Sequence, residues 1–394
     1  MKHAALGFTG LWTYLDGNTT GASFATLAFG LGAAEEPVVA GTYTGNDVGL
    51  GTGRLGCMNG STAYVLGHGP SNPMFISRYA AADGTPLGAS CRGGGATGMI
   101  AVDAATVARG GDVVVTGVYG GTGVDLGLGT EPSASGLFAA RYRAADGSPV
   151  WVKTIPIATN FSTRVVPSSV VVADDGSTTI LGTFTGTLSF GGFLRSTADT
   201  PLFLLHLGPD GAYLWDQMVT SQDTFQSSDA ALTVDGHGDP YVAIAHSGTM
   251  TLPGKPARTA VGARDVVVAK FAAPDGSVRW SDAIGASGSS VGSALRVDVS
   301  PWGEILLLAT TTTPWPRVDG VQLPRNVNDK GWFLVRYTGT GSVLSLNTFA
   351  AEYPASVDFD GSMGRYAFMY LTSQFQSWPV DMTGFRPVAV LQLH

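Results

Sequence analysis

The chain has 394 residues, 44% of them hydrophobic and 13% charged, with 55 glycines, which is too apolar for a disordered polymer and too interrupted for long helices. Its formal charge of −8 and pI near 5.1 argue against a surface that tracks phosphates, so no nucleic-acid partner is expected. No apolar run reaches the ~18 residues of a membrane span, and the opening MKHAALGFTGLW lacks the apolar core of a signal peptide, which places the chain in the cytoplasm as given, or outside it if the sequence is a processed form.

In chain order, a strand around Trp12, residues 4–16, comes first and stands apart from the sets that follow. Residues 22–91 hold VAGTYTG (39–45), a long insertion (49–72) and the hairpin MFISRYAAADG with Asp83-Gly84 at its turn. Residues 96–156 repeat the plan more cleanly: a segment ending in Asp103, then VTGVYGG (115–121), then LFAARYRAADGSPVWVKTI with Asp146-Gly147. It returns in 165–219 (Asp174, ILGTFTG, LFLLHLGPDGAYLW), in 227–285 (Asp235, VAIAHSG, VVVAKFAAPDGSVRW) and in 291–350 (Asp298, a loose copy at 307–313, WFLVRYTGTGSVLSL). Residues 352–394 begin a sixth set around Asp358 and end on RPVAVLQLH without a fourth strand. The turns at Asp83, Asp146, Asp210, Asp275 and Thr340 lie 63, 64, 65 and 65 residues apart. The Asp-Gly pairs are expected to form two-residue hairpin turns, both residues at positive φ.

Four strand-like segments per set, A to D, joined by short turns at a period near 64 describe a propeller blade. The expected fold is therefore all-β: a single domain, residues 1–394, forming one six-bladed β-propeller with four-stranded antiparallel blades. The N-terminal strand is expected to complete the C-terminal blade and close the ring, because Trp12 falls where Trp151, Trp215 and Trp280 fall, and closure removes open strand edges. These units resemble those of the bacterial β-propeller repeat proteins (the SBBP-like family), which read V-D-x-x-G, then VTG-x-F-x-G, then F-V-A-K-Y-D-x-x-G-x-x-x-W. The resemblance covers nearly the whole chain. Gly88 and Ser345 stand where the unit has tryptophan. It implies the fold, an exported location and a binding or scaffolding role, and it supplies no catalytic motif.

Repeated residues are read first as structure. The tryptophans are expected to wedge between blades. The basic series Arg78, Arg141, His206, Lys270 and Arg336, with Gln392, is expected to snorkel along the blade rim. The aspartates ending strand A are expected to cap the A-to-B turns. Cys57 and Cys91 lack CxxC spacing and are read as two free thiols, the alternative being a single loop-pinning disulfide if the protein works outside a reducing compartment. Six scattered histidines, His246 among them at an aromatic core position, make no metal-ligand pattern, so neither a metal nor a cofactor is expected.

No nucleophile elbow, metalloprotease helix or calcium loop is present. What varies is the set of B-to-C and D-to-A loops, which share one face, and variation on a rigid scaffold is where binding resides. The candidate ligand-binding residues are Arg92, Phe161, Arg164, Phe225 and Tyr353 from the D-to-A loops and His68, Trp315, Arg317 and Trp378 from the outer loops. Aromatics and arginines among Ser, Thr and Asn suit an extended peptide. The expected function is a non-catalytic, monomeric module that binds a peptide or protein segment, as an accessory presenting a peptide to a modifying enzyme would. The alternatives are a hydrolase or lyase with an axial pocket and an exported glycan-binding adhesion module.

Overall fold

The structure is a computed structural model that describes residues 24–43, 48–49, 54–55, 73–93, 98–131, 134–157, 163–197, 199–285, 296–300, 303–311, 317–318, 321–322, 331–349, 354–360 and 365–370. These are all-β apart from one 3-10 turn. No described helix is long and apolar enough to cross a membrane.

The chain divides into two compact units, residues 1–217 and 218–394. In the first, sheet one comprises β1 (Phe24–Leu31), β2 (Pro37–Tyr43), β5 (Met74–Tyr79) and β6 (Pro86–Arg92), with the small hairpin β3 (Val48–Gly49) and β4 (Arg54–Leu55) between β2 and β5. Sheet two comprises β7 (Gly98–Val107), β8 (Val113–Gly121), β9 (Ser135–Tyr142) and β10 (Pro149–Pro156). Sheet three comprises β11 (Arg164–Val172), β12 (Thr178–Ser189), β14 (Leu202–Leu207) and β15 (Tyr213–Ser221), and β13 (Leu194–Thr197) pairs with the extension of β12. In the second unit, sheet four comprises β16 (Ala230–Val234), β17 (Pro240–His246), β20 (Asp265–Phe271) and β21 (Val278–Gly285), and the hairpin β18 (Thr249–Thr251) and β19 (Arg258–Thr259), between β17 and β20 in sequence, pairs with Thr220 and Ser221 at the end of β15. Sheet five comprises β22 (Arg296–Val299), β23 (Ile305–Thr311), β26 (Gly331–Tyr337) and β27 (Val343–Phe349), and the hairpin β24 (Arg317–Val318) and β25 (Val321–Gln322), between β23 and β26 in sequence, pairs with β21 of sheet four. A last antiparallel pair, β28 (Pro354–Asp360) and β29 (Arg365–Tyr370), follows.

Every four-stranded sheet is thus an antiparallel meander in sequence order. Within each unit consecutive sheets pack with their first strands together, β1 on β7 and β7 on β11, then β16 on β22 and β22 on β28. That is how propeller blades are arranged. The faces between them are apolar: Val38 and Ile76 meet Ile100, Val113 and Phe138, and Val266 and Ile284 meet Ile305, Leu307 and Phe333. Residues 4–16 and 386–394, on which the expected ring closure turns, lie outside the described residues.

The repeated turns depart from the expected two-residue type. Only the glycine takes positive φ, at 72° for Gly84, 69° for Gly147, 78° for Gly211 and 68° for Gly276. The preceding aspartate, disfavoured there by its Cβ, keeps negative φ. Its carboxylate instead accepts the backbone N–H two residues on, as from Thr85 (2.9 Å), Ser148 (2.8 Å), Ala212 (3.0 Å) and Ser277 (2.9 Å). These are Asx turns, a cheaper way to reverse the chain with one L-residue and one glycine.

The glycine of the VxGx-aromatic motif has its own cause. Gly41, Gly117 and Gly182 pair with Thr26, Val102 and Pro167, each beside a register shift in strand A. A Cβ on Gly117 would fall 2.0 Å from the Ala101 carbonyl oxygen, so the bulged strand and the glycine require each other. Sheet four has Ile244 at this position and no register shift.

The tryptophans do wedge between sheets. Trp151 on β10 is 5% exposed, and a Cβ on Gly211, in the C-to-D turn of sheet three, would lie 2.8 Å from its indole. Trp280 on β21 meets Gly341, in the corresponding turn of sheet five, in the same way, and its Nε1 donates to the Gly339 carbonyl at 2.9 Å.

The basic series does not snorkel outward. Arg78 faces Glu36 (3.7 Å), Arg141 faces Asp112 (3.0 Å), Lys270 faces Asp239 (3.1 Å) and Arg336 faces Glu304 (2.6 Å). Each acid immediately precedes strand B, and the register that pairs Val38 with Arg78 also pairs Val114 with Arg141, Tyr241 with Lys270 and Leu306 with Arg336. Strand pairing therefore delivers the two charges to one place in these four sheets. Sheet three has Ser177 in the acid position, and its basic partner is the uncharged-compatible His206.

Of the strand-A aspartates, Asp235 does cap its turn, accepting from the N–H groups of His237 and Asp239 at 3.0 Å each. Next to Asp174 it is Asp175 that accepts from Ser177 N (2.8 Å). Asp103, Asp298 and Asp358 lie within strands β7, β22 and β28. Cys91 on β6 is disulfide-bonded, which corrects the reading of two free thiols, since a spacing outside CxxC carries no information about distance in space. Cys57, the chain's other cysteine, lies outside the described residues.

His206 yields a pH prediction. It stacks on Trp215 at 4.8 Å and shares a hydrogen bond with Thr179 (2.9 Å), and burial pushes its pKa down to about 4 against the pull of Asp175. The unfolded imidazole, near 6.5, takes up a proton first, so stability falls as pH drops from about 6.5 towards 4, by up to about 3 kcal/mol. Urea denaturation should show a smaller loss between pH 7 and pH 5 in His206→Gln than in the parent; equal losses would refute the assignment.

Candidate functional site

An antiparallel meander puts its A-to-B and C-to-D turns at one end of each sheet and its B-to-C and D-to-A connections at the other. The first end is uniform. Five A-to-B turns close with the same backbone bond, from Gly32, Ala108, Ala173, Asp235 and Ser300 N–H to the carbonyl four residues on. The second end carries β3–β4, the Asp125–Thr130 bridge, β13, β18–β19 and β24–β25, all different.

At this second end, sheet four departs from sheets one to three in two paired positions, and sheet five, with Thr311 opposite Gly331, lacks the ring as well. The last residue of the motif is Tyr43, Tyr119 or Phe184 in sheets one to three, each a buried ring. In sheet four it is His246, 2% exposed. The residue facing it at the start of strand C is Pro73, Gly136 or Pro201 in sheets one to three, and in sheet four it is Asp265, the Cα partner of His246. One core contact has been exchanged for an imidazole beside a carboxylate.

The surroundings hold both groups in place. Asp265 accepts from the N–H groups of Val261 (2.7 Å) and Gly262 (3.1 Å), and Gly285 leaves room for it, since a Cβ there would strike the carboxyl group at 2.3 Å. Neither ring nitrogen of His246 makes a hydrogen bond of ordinary geometry, although backbone groups of Ser247 and Gly248 lie beside it. Burial lowers its pKa, and the charge of Asp265 opposes that only in part. At neutral pH the ring is uncharged and has one donor and one acceptor to offer.

His246 lines a cavity of about 290 Å³ together with Ser221, Asp223, Phe225, Gln226 and Arg264. The segment between β15 and β16 forms one wall. It is held by the Asp229 carboxylate, which accepts from Gln226 N at 2.7 Å and pairs with the Arg264 guanidinium. Arg264 also reaches the Ala245 carbonyl at 3.4 Å, tying this wall to the end of β17. Gln222 receives the Thr249 N–H at 3.3 Å, and Ser221 pairs with Met250, so the β18–β19 hairpin buttresses the same segment. The wall is fixed, not a free loop. Among the described residues no group of three His, Cys, Asp or Glu side chains is placed to hold a metal.

Of the residues read from sequence, Phe225 lines this cavity as a buried ring. Arg317 is placed by its backbone, opposite Gly285, at the end of sheet four that carries Asp265. Arg92 belongs to the first unit and is engaged by the protein itself: it donates to the Gly147 carbonyl at 2.8 Å and lies over the Tyr142 ring at 5.8 Å. Arg164 opens β11 in the first unit and is exposed. His68, Phe161, Trp315, Tyr353 and Trp378 lie outside the described residues. Sequence reading missed Asp265, Asp223 and Arg264 as site residues; the available signal was that His246 and Asp265 break the repeat together.

No family model matches the chain, and no curated protein matches it. The resemblance to bacterial β-propeller repeat proteins therefore rests on the repeat residues alone. Solved structures similar to this chain include a protein of unknown function from Bacteroides caccae, 9% identical over 83% of this chain and 82% of that one, with a TM-score of 0.35. They also include the Dos1 propeller, 8% identical over 86% of this chain and 88% of that one, TM-score 0.37. An endo-arabinase from Bacteroides thetaiotaomicron is 11% identical over 68% of this chain and 86% of that one, TM-score 0.29. At these levels the likenesses bear on neither substrate nor partner.

Proposed function

We propose that this chain is a non-catalytic binding module that captures a peptide segment at the loop-bearing end of its sheets. The observation that carries this reading is the paired exchange of a packed ring for His246 and Asp265 in sheet four, where His246 lines a cavity. Such an exchange gives up a packed ring and gains hydrogen-bonding groups for something outside the fold. The Cys91 disulfide supports an oxidising compartment, where such bonds persist. A neutral imidazole beside a carboxylate also favours a second reading, proton abstraction by a lyase or hydrolase.

Screening the purified protein against a peptide library and an oligosaccharide panel, with product analysis of each mixture, tests the reading. Capture of an unmodified peptide, lost in His246→Phe with melting unchanged, is the expected result. Turnover of any panel member would establish the enzymatic reading instead.

We infer further that the sheets are blades of a six-bladed ring closed by residues 4–16, from the position of Trp12 in the repeat. Removing residues 1–16 should expose a strand edge and cause aggregation or loss of cooperative unfolding; a soluble truncation with the same melting midpoint would refute closure.

A further inference from the structure

We propose that the cavity beside His246 receives the basic side chain, lysine or arginine, of a partner peptide, an inference that rests on the peptide-binding reading above. The lining carries two carboxylates, Asp223 and Asp229, and one guanidinium, Arg264. Asp229 and Arg264 neutralise each other. Asp223 stands exposed at the rim, near Gly248, where an added Cβ would lie 3.3 Å from its Oδ2, and it leaves the cavity with an uncompensated negative charge.

At the floor, the buried His246 ring offers an acceptor nitrogen that nothing in the protein uses. Phe225 supplies an apolar wall. An alkyl stem lying along Phe225 with a cationic head between the Asp223 carboxylate and the imidazole would satisfy all three groups, and only lysine and arginine combine such a stem with such a head. The volume of about 290 Å³ suits one side chain and not a folded segment. An acidic side chain would meet Asp223 with like charge and find Arg264 already paired.

The same groups set the pH response. The charges around His246 are Asp265, its strand partner, Arg258, which opposes its protonation, and across the cavity Asp223 and the Asp229–Arg264 pair. A protonated ring would repel a cation and lose its acceptor, so capture weakens as pH falls below the ordinary imidazole value of about 6.5.

The test is a positional-scanning library of amidated hexapeptides screened on the purified full chain, followed by calorimetry with the best peptide at pH 7.5 and 5.5. Expected are enrichment of lysine or arginine at one position, at least a tenfold loss when that residue becomes glutamine, and a comparable loss in Asp223→Asn. His246→Phe, which restores the residue type of sheet three, should also lose capture while its melting stays unchanged. Binding of peptides with no basic preference, or binding indifferent to Asp223→Asn, overturns the inference and leaves the peptide reading standing, whereas binding indifferent to His246→Phe overturns both. Retention of oligosaccharides alone, or of nothing, overturns both.

Discussion

Replacing Trp151 with alanine should destabilise the protein by roughly 3–5 kcal/mol, the range for removing a buried aromatic ring. The side chain is 5% exposed and lies against Gly211 of the next sheet, so its loss opens a gap that two sheets share and neither can close alone. Its indole nitrogen makes no hydrogen bond, and the effect is therefore one of packing. Urea or thermal unfolding measures it. Gly211→Ala supplies an independent arm: it is destabilising because φ is 78° and because the new methyl would strike Trp151. In the double variant the steric part vanishes, and the two losses should add to less than their sum. Strict additivity would show that the ring and the turn do not touch.

Lys270→Ala should cost a similar amount, roughly 3–5 kcal/mol, because it leaves the buried Asp235 carboxylate without its cation and Asp239 with Arg279 alone, 3.4 Å away. The Lys270 ammonium lies 2.9 Å from Asp235, 3.1 Å from Asp239 and 4.9 Å from the centre of the Tyr241 ring, whose hydroxyl donates to Asp235 at 3.0 Å. Burial works against the charged ammonium, yet hydrogen bonds with Tyr241, Asp235 and Asp239 outweigh it and raise its pKa. Burial likewise works to raise the Asp235 pKa, but the Lys270 hydrogen bond and charge hold it below the ordinary carboxylate value. A carboxyl group depressed in the folded state contributes stability above its unfolded value, near 3.9, and loses it as pH falls through the folded one. The gap between parent and variant should therefore be full at pH 7 and shrink below about pH 4. Lys270→Ala with Asp239→Asn should recover part of the loss; no recovery would show that the acid is not held by the lysine.

Much of this was legible in the chain itself. The period near 64 and the apolar segments set off by short glycine-bearing turns indicated four strands per set, because a unit that cannot bury its own faces must repeat beside neighbours. The five Asp-Gly and Thr-Gly turns and the interblade place of Trp151 and Trp280 followed from position within the repeat. The turn type did not, since Asp-Gly serves both a two-residue hairpin and an Asx turn, and only the backbone angles distinguish them. The partners of Arg78, Arg141, Lys270 and Arg336 were hidden because they are about 30 to 40 residues away in sequence and meet only through the pairing of strands B and C.

The site divides in the same way. His246 was visible in the sequence as an odd residue at an aromatic position, and Phe225 as an aromatic in a variable loop. That they line one cavity, with Asp265 opposite the imidazole and Asp229 holding Arg264 in the wall, depends on the register of β17 with β20 and on where the chain returns after β15. Local sequence determines which face of a strand a side chain occupies, since that is a matter of alternation along one segment. Which residue of a distant segment lies opposite is decided by the pairing of whole strands, and that only the tertiary structure supplies.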